Sequence, residues 1–138
     1  MNIVWQASYL QDFERALLPG DAYVENAGYG NNFDLRSLVT AGYAWDDFDL
    51  GLRWKYLPEA ENSSCIGFAV CTVDSTDSHS VFDFFSNYHL NDNLRVNFGI
   101  DNLLNEDPPI VAGQLGNTNA GEYDVIGRNY YVGIRASF

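Results

Sequence analysis

The clearest signal in this chain is alternation of apolar and polar positions. Leu94-Arg95-Val96-Asn97-Phe98-Gly99-Ile100-Asp101 places an apolar side chain at every second position, with polar residues or glycine between. A period of two puts the apolar set on one face of an extended strand. Phe48 to Tyr56 repeats the pattern, with Leu50, Leu52 and Trp54 opposed to Asp49, Arg53 and Lys55. Near the C-terminus, Tyr130, Val132, Ile134, Ala136 and Phe138 alternate with Asn129, Tyr131, Gly133, Arg135 and Ser137. Residues 79–90 set Phe82, Phe84, Tyr88 and Leu90 against Asp83, Asn87 and His89, with Val81 and Phe85 as exceptions. Residues 34–45 follow more weakly through Val39, Ala41, Tyr43 and Trp45. Residues 2–16 offer Ile3, Trp5, Ala7, Tyr9 and Phe13 as one more strand, or a short helix over 8–18 stopped by Pro19-Gly20.

The six predicted strands are joined alternately by short and long connections. Asp46-Asp47 and Asn91-Asp92-Asn93 are tight-turn sequences, whereas about 17–33, 58–78 and 106–126 form long loops. The expected fold is all-β, an antiparallel up-and-down meander of about six long strands with every long loop at one end. Transmembrane β-barrels have that asymmetry. A soluble β-sandwich shares the alternation but not the sorting of charge. Within the predicted strands only Arg15 and Arg128 share parity with the apolar set, and both lie at the loop end. A charge facing lipid near the bilayer midplane costs about 2–4 kcal/mol, which gives this exclusion a physical cause. Aromatic residues also fall in two bands, Tyr43, Trp45, Phe48, Tyr88 and Phe138 near the short turns and Trp54, Tyr56, Phe82 and Tyr130 near the long loops. Amphipathic rings favour the headgroup level in that way. The opposite face then reads as a lumen, with Arg53, Asp83, Arg95 and Asp101 as candidate substrate contacts or as cross-strand charge pairs.

Composition narrows the reading. The chain has 138 residues, 46% hydrophobic and 15% aromatic, with nineteen acids against seven bases and a net charge of −12. Such a balance argues against nucleic acid as a partner, since phosphate contacts need clustered Lys and Arg. No apolar run approaches the ~20 residues of a membrane helix. Ten of the nineteen acids fall in the three long loops, which hold no Lys or Arg, so the acidity belongs to one end of the sheet. Met1-Asn2-Ile3-Val4-Trp5-Gln6 shows no basic n-region or apolar core, as expected of a cytoplasmic protein or of a chain that begins further upstream. Cys65 and Cys71 are suited to a local disulfide in an oxidising compartment, with unlinked thiols as the alternative. A zinc site would have only His79 and His89 to complete it. Glu59, Glu61, Asp74 and Asp77 could supply oxygen ligands to Ca²⁺ or form a solvated acidic loop. Asn62-Ser63-Ser64 fits a glycosylation sequon. No cofactor motif or catalytic constellation stands out, since Gly28-Tyr29-Gly30 lacks the third glycine of a dinucleotide loop, and no enzyme activity is expected.

Several motifs together resemble the C-terminal end of a TonB-dependent outer-membrane receptor. Val96-Asn97-Phe98-Gly99-Ile100-Asp101-Asn102-Leu103-Leu104-Asn105 is similar to that family's "GVxNLFD" penultimate strand, and Asp107-Pro108-Pro109 opens a long loop after it. Tyr123-Asp124-Val125-Ile126-Gly127-Arg128-Asn129-Tyr130-Tyr131-Val132-Gly133 is similar to its "YDxxGRxxYVG" entry to the final strand. Asp83 and Tyr88 fit its "D….Y" spacing, and Gly133, Ala136 and Phe138 resemble a C-terminal outer-membrane assembly signal. The resemblance implies that residues 1–138 are the last part of a 22-stranded barrel, with the plug domain and remaining strands absent. It also implies outer-membrane lipid and the barrel assembly machinery as partners, with TonB engaged only through the missing plug. The setting would be the outer membrane of a Gram-negative bacterium. The function implied is energy-coupled uptake of a scarce nutrient, for which this piece alone is not competent. Ligand contacts would lie in the external loops, where Tyr29, Phe68 and the 106–126 loop are placed. The alternative from another class is a soluble β-sandwich binding module, for example for carbohydrate, using loop aromatics such as Tyr29 and Tyr123.

Overall fold

A computed structural model of the chain describes residues 1–138 apart from 17, 31, 63–64, 66–72, 112–115 and 138. Among these residues ten strands follow in chain order: β1 (Asn2–Tyr9), β2 (Glu14–Arg15), β3 (Val24–Glu25), β4 (Leu35–Trp45), β5 (Phe48–Leu57), β6 (Ala60–Glu61), β7 (Ser75–Thr76), β8 (His79–Asn91), β9 (Leu94–Asp101) and β10 (Asn129–Ala136). The six long ones form a single antiparallel sheet in the order β1-β4-β5-β8-β9-β10, so each pairs with the next long strand in sequence. This is the expected meander. β2 pairs with β3 and β6 with β7 as two small ribbons within the long connections. No helix among the described residues is long and apolar enough to cross a membrane.

Turn chemistry sets the register. Asp46 adopts φ 54°, a left-handed conformation that aspartate tolerates, and Asp46-Asp47 alone link the opposed pair Trp45 and Phe48. At the second turn the pairing slips between His89 and Asn91, so a bulge precedes Asp92-Asn93. There the Asn91 carboxamide oxygen accepts from the Asn93 amide at 3.0 Å.

The first strand is shorter than its alternation predicts. It ends at Tyr9, so Phe13 and Arg15 are not part of its faces, and the helix considered over 8–18 is not formed. A competing set of hydrogen bonds takes the chain elsewhere. One carboxylate oxygen of Glu25 accepts from the amides of Phe13, Asn26 and Ala27 at 2.7–2.9 Å, clamping β2 against β3.

Registers place most of the apolar strand residues on one face. Trp5, Val39, Trp54 and Phe82 form one row across four strands, and Trp45, Phe48, Tyr88, Val96 and Ile134 form another nearer the turns. Little covers this face: Trp5 is 70% exposed, Trp45 65%, Val132 72% and Ile134 73%. Phe48 stacks on Tyr88 at 4.5 Å toward the short turns and Trp54 on Phe82 at 6.1 Å toward the long connections. The indole N–H groups of Trp5 and Trp54 donate to the hydroxyls of Ser37 and Ser80, which pairs these polar atoms within the face.

The accessible surface is 9780 Å² for a 15.5 kDa chain. A compact soluble monomer of that mass exposes about 7,200 Å². The difference follows from the single layer: among the described residues no second sheet packs on the apolar face. The small buried cluster lies at the loop end instead, where Phe33, Ala60 and Tyr123 come from three different connections and Leu57 and Val111 pack against them.

Candidate functional site

The second face of the sheet collects the polar residues, and register arranges them in rows from the loop end to the turn end. Next to the loops, Ser8 is paired with Arg36 and Leu57 with His79, and all four line one hollow. The loop carrying Glu122, Tyr123 and Asp124 lies beside them and helps enclose a hollow of about 600 Å³, which Lys55 and Val81 also line. Arg36 donates to Glu122 at 2.7 Å, and its guanidinium sits 5.2 Å from the Phe33 ring. The Tyr123 ring meets Phe33 and His79 edge-on, and burial first, then the neighbouring Glu122 carboxylate, raises its hydroxyl above the ordinary tyrosine range. The hollow therefore offers a cation, a paired acid and an aromatic wall in one place. That combination suits a polar ligand with a ring or an apolar edge.

One step further along, Asp83 is 3% exposed and does two jobs. It accepts from Lys55 at 2.9 Å and from the backbone amide of Asn102 at 3.1 Å. Asn102 is fully buried, sits at φ 52°, and bridges to the Glu106 backbone through both ends of its carboxamide at 2.8 Å. Three residues later, Asn105 accepts from the Arg128 amide at 3.1 Å, a contact made possible by the left-handed turn at Gly127 (φ 77°). The two sequence motifs around 96–105 and 123–133 are thus joined to each other at this point.

The next row is a line of small residues and rings. Asn2, Gly42, Gly51, Phe85, Gly99 and Tyr131 are successive partners across all six strands. The Phe85 ring lies over Gly51 and the Tyr131 ring over Gly99, so closely that a Cβ at either glycine would collide with the ring. These two aromatics violate the simple polar expectation for this face because each shields a glycine on the adjacent strand. The periodicity revealed Phe85 as an exception, but only the register shows what it covers.

Toward the turns, Asn87 and Asn97 are paired across β8 and β9, and Arg95 stands directly opposite Arg135. Nearby, His89 pairs with Asp49 at 2.8 Å. Arg53 is opposite Asp83 in register but rests 5.7 Å from the Phe85 ring, since Asp83 is engaged by Lys55 and Asn102. Of the four candidate contacts, Arg53, Asp83, Arg95 and Asp101 all fall on this face. Arg53 and Arg95 share a hollow of about 380 Å³, Asp83 is a structural ion-pair partner, and Asp101 lies opposite Asn129.

The other candidates separate. His79 and His89 lie near opposite ends of one thirteen-residue strand, too far apart to share a metal at about 3.3 Å per residue. No group of three or more His, Cys, Asp or Glu among the described residues could hold a metal ion. Cys65 is disulfide-bonded, while Cys71, Phe68 and Phe138 lie outside the described residues. Gly133 and Ala136 are both in β10. Tyr29 packs against the second connection through Glu61, whose carboxylate accepts its hydroxyl hydrogen bond and raises it. Sequence reasoning gave Asn102 no role beyond its place in the 96–105 motif, and it missed Phe33 and the ring-over-glycine pairs, which carry no local signature. No protein-family model, curated protein or solved structure matches the chain.

Proposed function

We propose that this chain is a wall segment of an outer-membrane transport barrel of the TonB-dependent receptor type. The observation that carries the reading is the two-faced single-layer sheet: one face is apolar and carries stacked aromatics, with no second sheet on it among the described residues, and the other is charged, with Lys55–Asp83 and His89–Asp49 paired across strands. Water would make that apolar face costly at about 25 cal/mol per Å², whereas lipid removes the cost. The up-and-down order and the collection of long connections at one end support it further. So do the linked motifs around Asn102 and Arg128. Six strands fall short of the about eight needed by small closed barrels, so β1 and β10 take further strands at their open edges in a larger barrel, proposed to have 22. In that setting the polar face lines the interior, the acidic connections face the cell exterior, and the cargo is a scarce nutrient. Lipid, the assembly machinery reading Gly133, Ala136 and Phe138, and a plug that couples to TonB are the partners.

The test is the behaviour of the expressed chain in water and in detergent. It should be insoluble in plain buffer and recover a β-rich circular dichroism spectrum only when refolded into micelles. A monodisperse monomer in detergent-free buffer overturns the reading.

A further inference from the structure

We infer that the turn end of the polar face is a binding site for a small oxyanion carrying two or more negative charges, of the phosphate or pyrophosphate class. The inference deepens the reading above, because it gives the interior face a ligand class. Three arginines line one hollow of about 380 Å³: Arg53, Arg95 and Arg135. None forms an ion pair with a carboxylate among the described residues. That is unexpected in a chain of net charge −12. The acids on this face are otherwise placed: Asp83 is held by Lys55 and the Asn102 amide, Asp49 by His89, and Asp101 is opposite Asn129. Asp92, in the adjoining turn, lines a smaller hollow of about 130 Å³ on the other side of Arg95 and Arg135 without pairing with either.

Arg95 and Arg135 are direct partners in register. Like charges directly opposite each other on one sheet face are destabilising, and an anion between them turns the repulsion into attraction. Guanidinium groups present planar donor forks that match oxyanions, and two facing forks favour an anion of multiple charge over a single carboxylate. Asn87 and Asn97 add carboxamide donors to the same hollow, and the Phe85 and Tyr131 rings, laid over their glycines, keep its wall low. The face is opposite to the apolar one, so the anion is a free solute and not a lipid headgroup.

The test uses the full chain refolded in a phosphate-free maltoside detergent, titrated with pyrophosphate by calorimetry. One saturable site is expected, weakened at least tenfold in Arg95→Gln/Arg135→Gln and unchanged in Arg15→Gln/Arg128→Gln, which removes the same two positive charges outside the hollow. Arg95→Lys/Arg135→Lys should show intermediate loss. Full binding by that lysine pair, or equal binding by the glutamine pair, overturns the site. In the unmodified chain, pyrophosphate should also protect Arg95 and Arg135, and not Arg15, from phenylglyoxal as read by mass spectrometry; absence of protection overturns it as well. The two readings fail separately. A chain that needs detergent but binds no pyrophosphate loses the site alone, and one that binds it while soluble without detergent loses only the membrane assignment.

Discussion

Asp83 and Asn102 show how much a single residue can hold in a sheet with almost no core. Asp83 accepts from a side chain and from a buried amide at once. Asp83→Ala leaves that amide unsatisfied, and the expected destabilisation is about 1–3 kcal/mol, measured as a lowered urea midpoint in detergent. Lys55→Met should cost less, since the Lys55 side chain is 44% exposed and its charge pair is screened. Asn102→Ala should lose about 1–3 kcal/mol of hydrogen bonding and a further ~1–2 kcal/mol for a left-handed backbone, which Asn102→Gly avoids. A smaller loss in the glycine variant than in the alanine variant checks the assignment. Legibility at this scale was partial. Period-two alternation assigned Asp83, Arg53, Arg95 and Asp101 to the correct face. It could not tell a structural carboxylate from an unpaired cation, because which charges meet depends on diagonal reach between strands as well as on parity.

Strands β4, β5, β8, β9 and β10 lie close to their expected spans, since each combines alternation with a turn that stops it. β1 is the exception. Its alternation runs on past Tyr9, but the Glu25 carboxylate draws Phe13 into a different ribbon, and nothing local announces a partner twelve residues away. The amides of Ala27 and Phe13 first, then that of Asn26, hold the Glu25 carboxyl below the ordinary glutamate range. A depressed folded-state value means the clamp contributes above the unfolded range and is lost as pH falls through the folded one. Acidification below the ordinary glutamate range should therefore loosen the β2–β3 ribbon, seen as faster proteolysis within 10–34 relative to the sheet. Glu25→Gln should abolish that pH dependence. The glycine row makes a second element-scale test. Gly51→Ala should destabilise the β5–β8 pair because the new methyl meets the Phe85 ring, and Phe85→Ala should relieve that clash. A double variant no more stable than the sum of its single losses predicts would contradict the contact.

For the molecule as a whole, the decisive property is an apolar surface on which no second sheet packs among the described residues. That was legible in the sequence as sorted parity, whereas the loop cluster of Phe33, Ala60 and Tyr123 was not, because three separate connections must meet to form it. Trp5, Trp45 and Trp54 are the chain's three tryptophans, and register puts all of them on the bare face. After reconstitution into vesicles, brominated acyl chains should quench most tryptophan emission while aqueous iodide quenches little; the reverse pattern would contradict the membrane assignment. The strand count has its own consequence. Six is even, so β1 and β10 run in opposite directions and both edges of the sheet present the same antiparallel geometry to whatever joins them. A block of this kind can be duplicated, removed or spliced between sheets as a cassette of whole hairpins, and every acidic connection stays on the same side. An odd block would turn all later strands upside down.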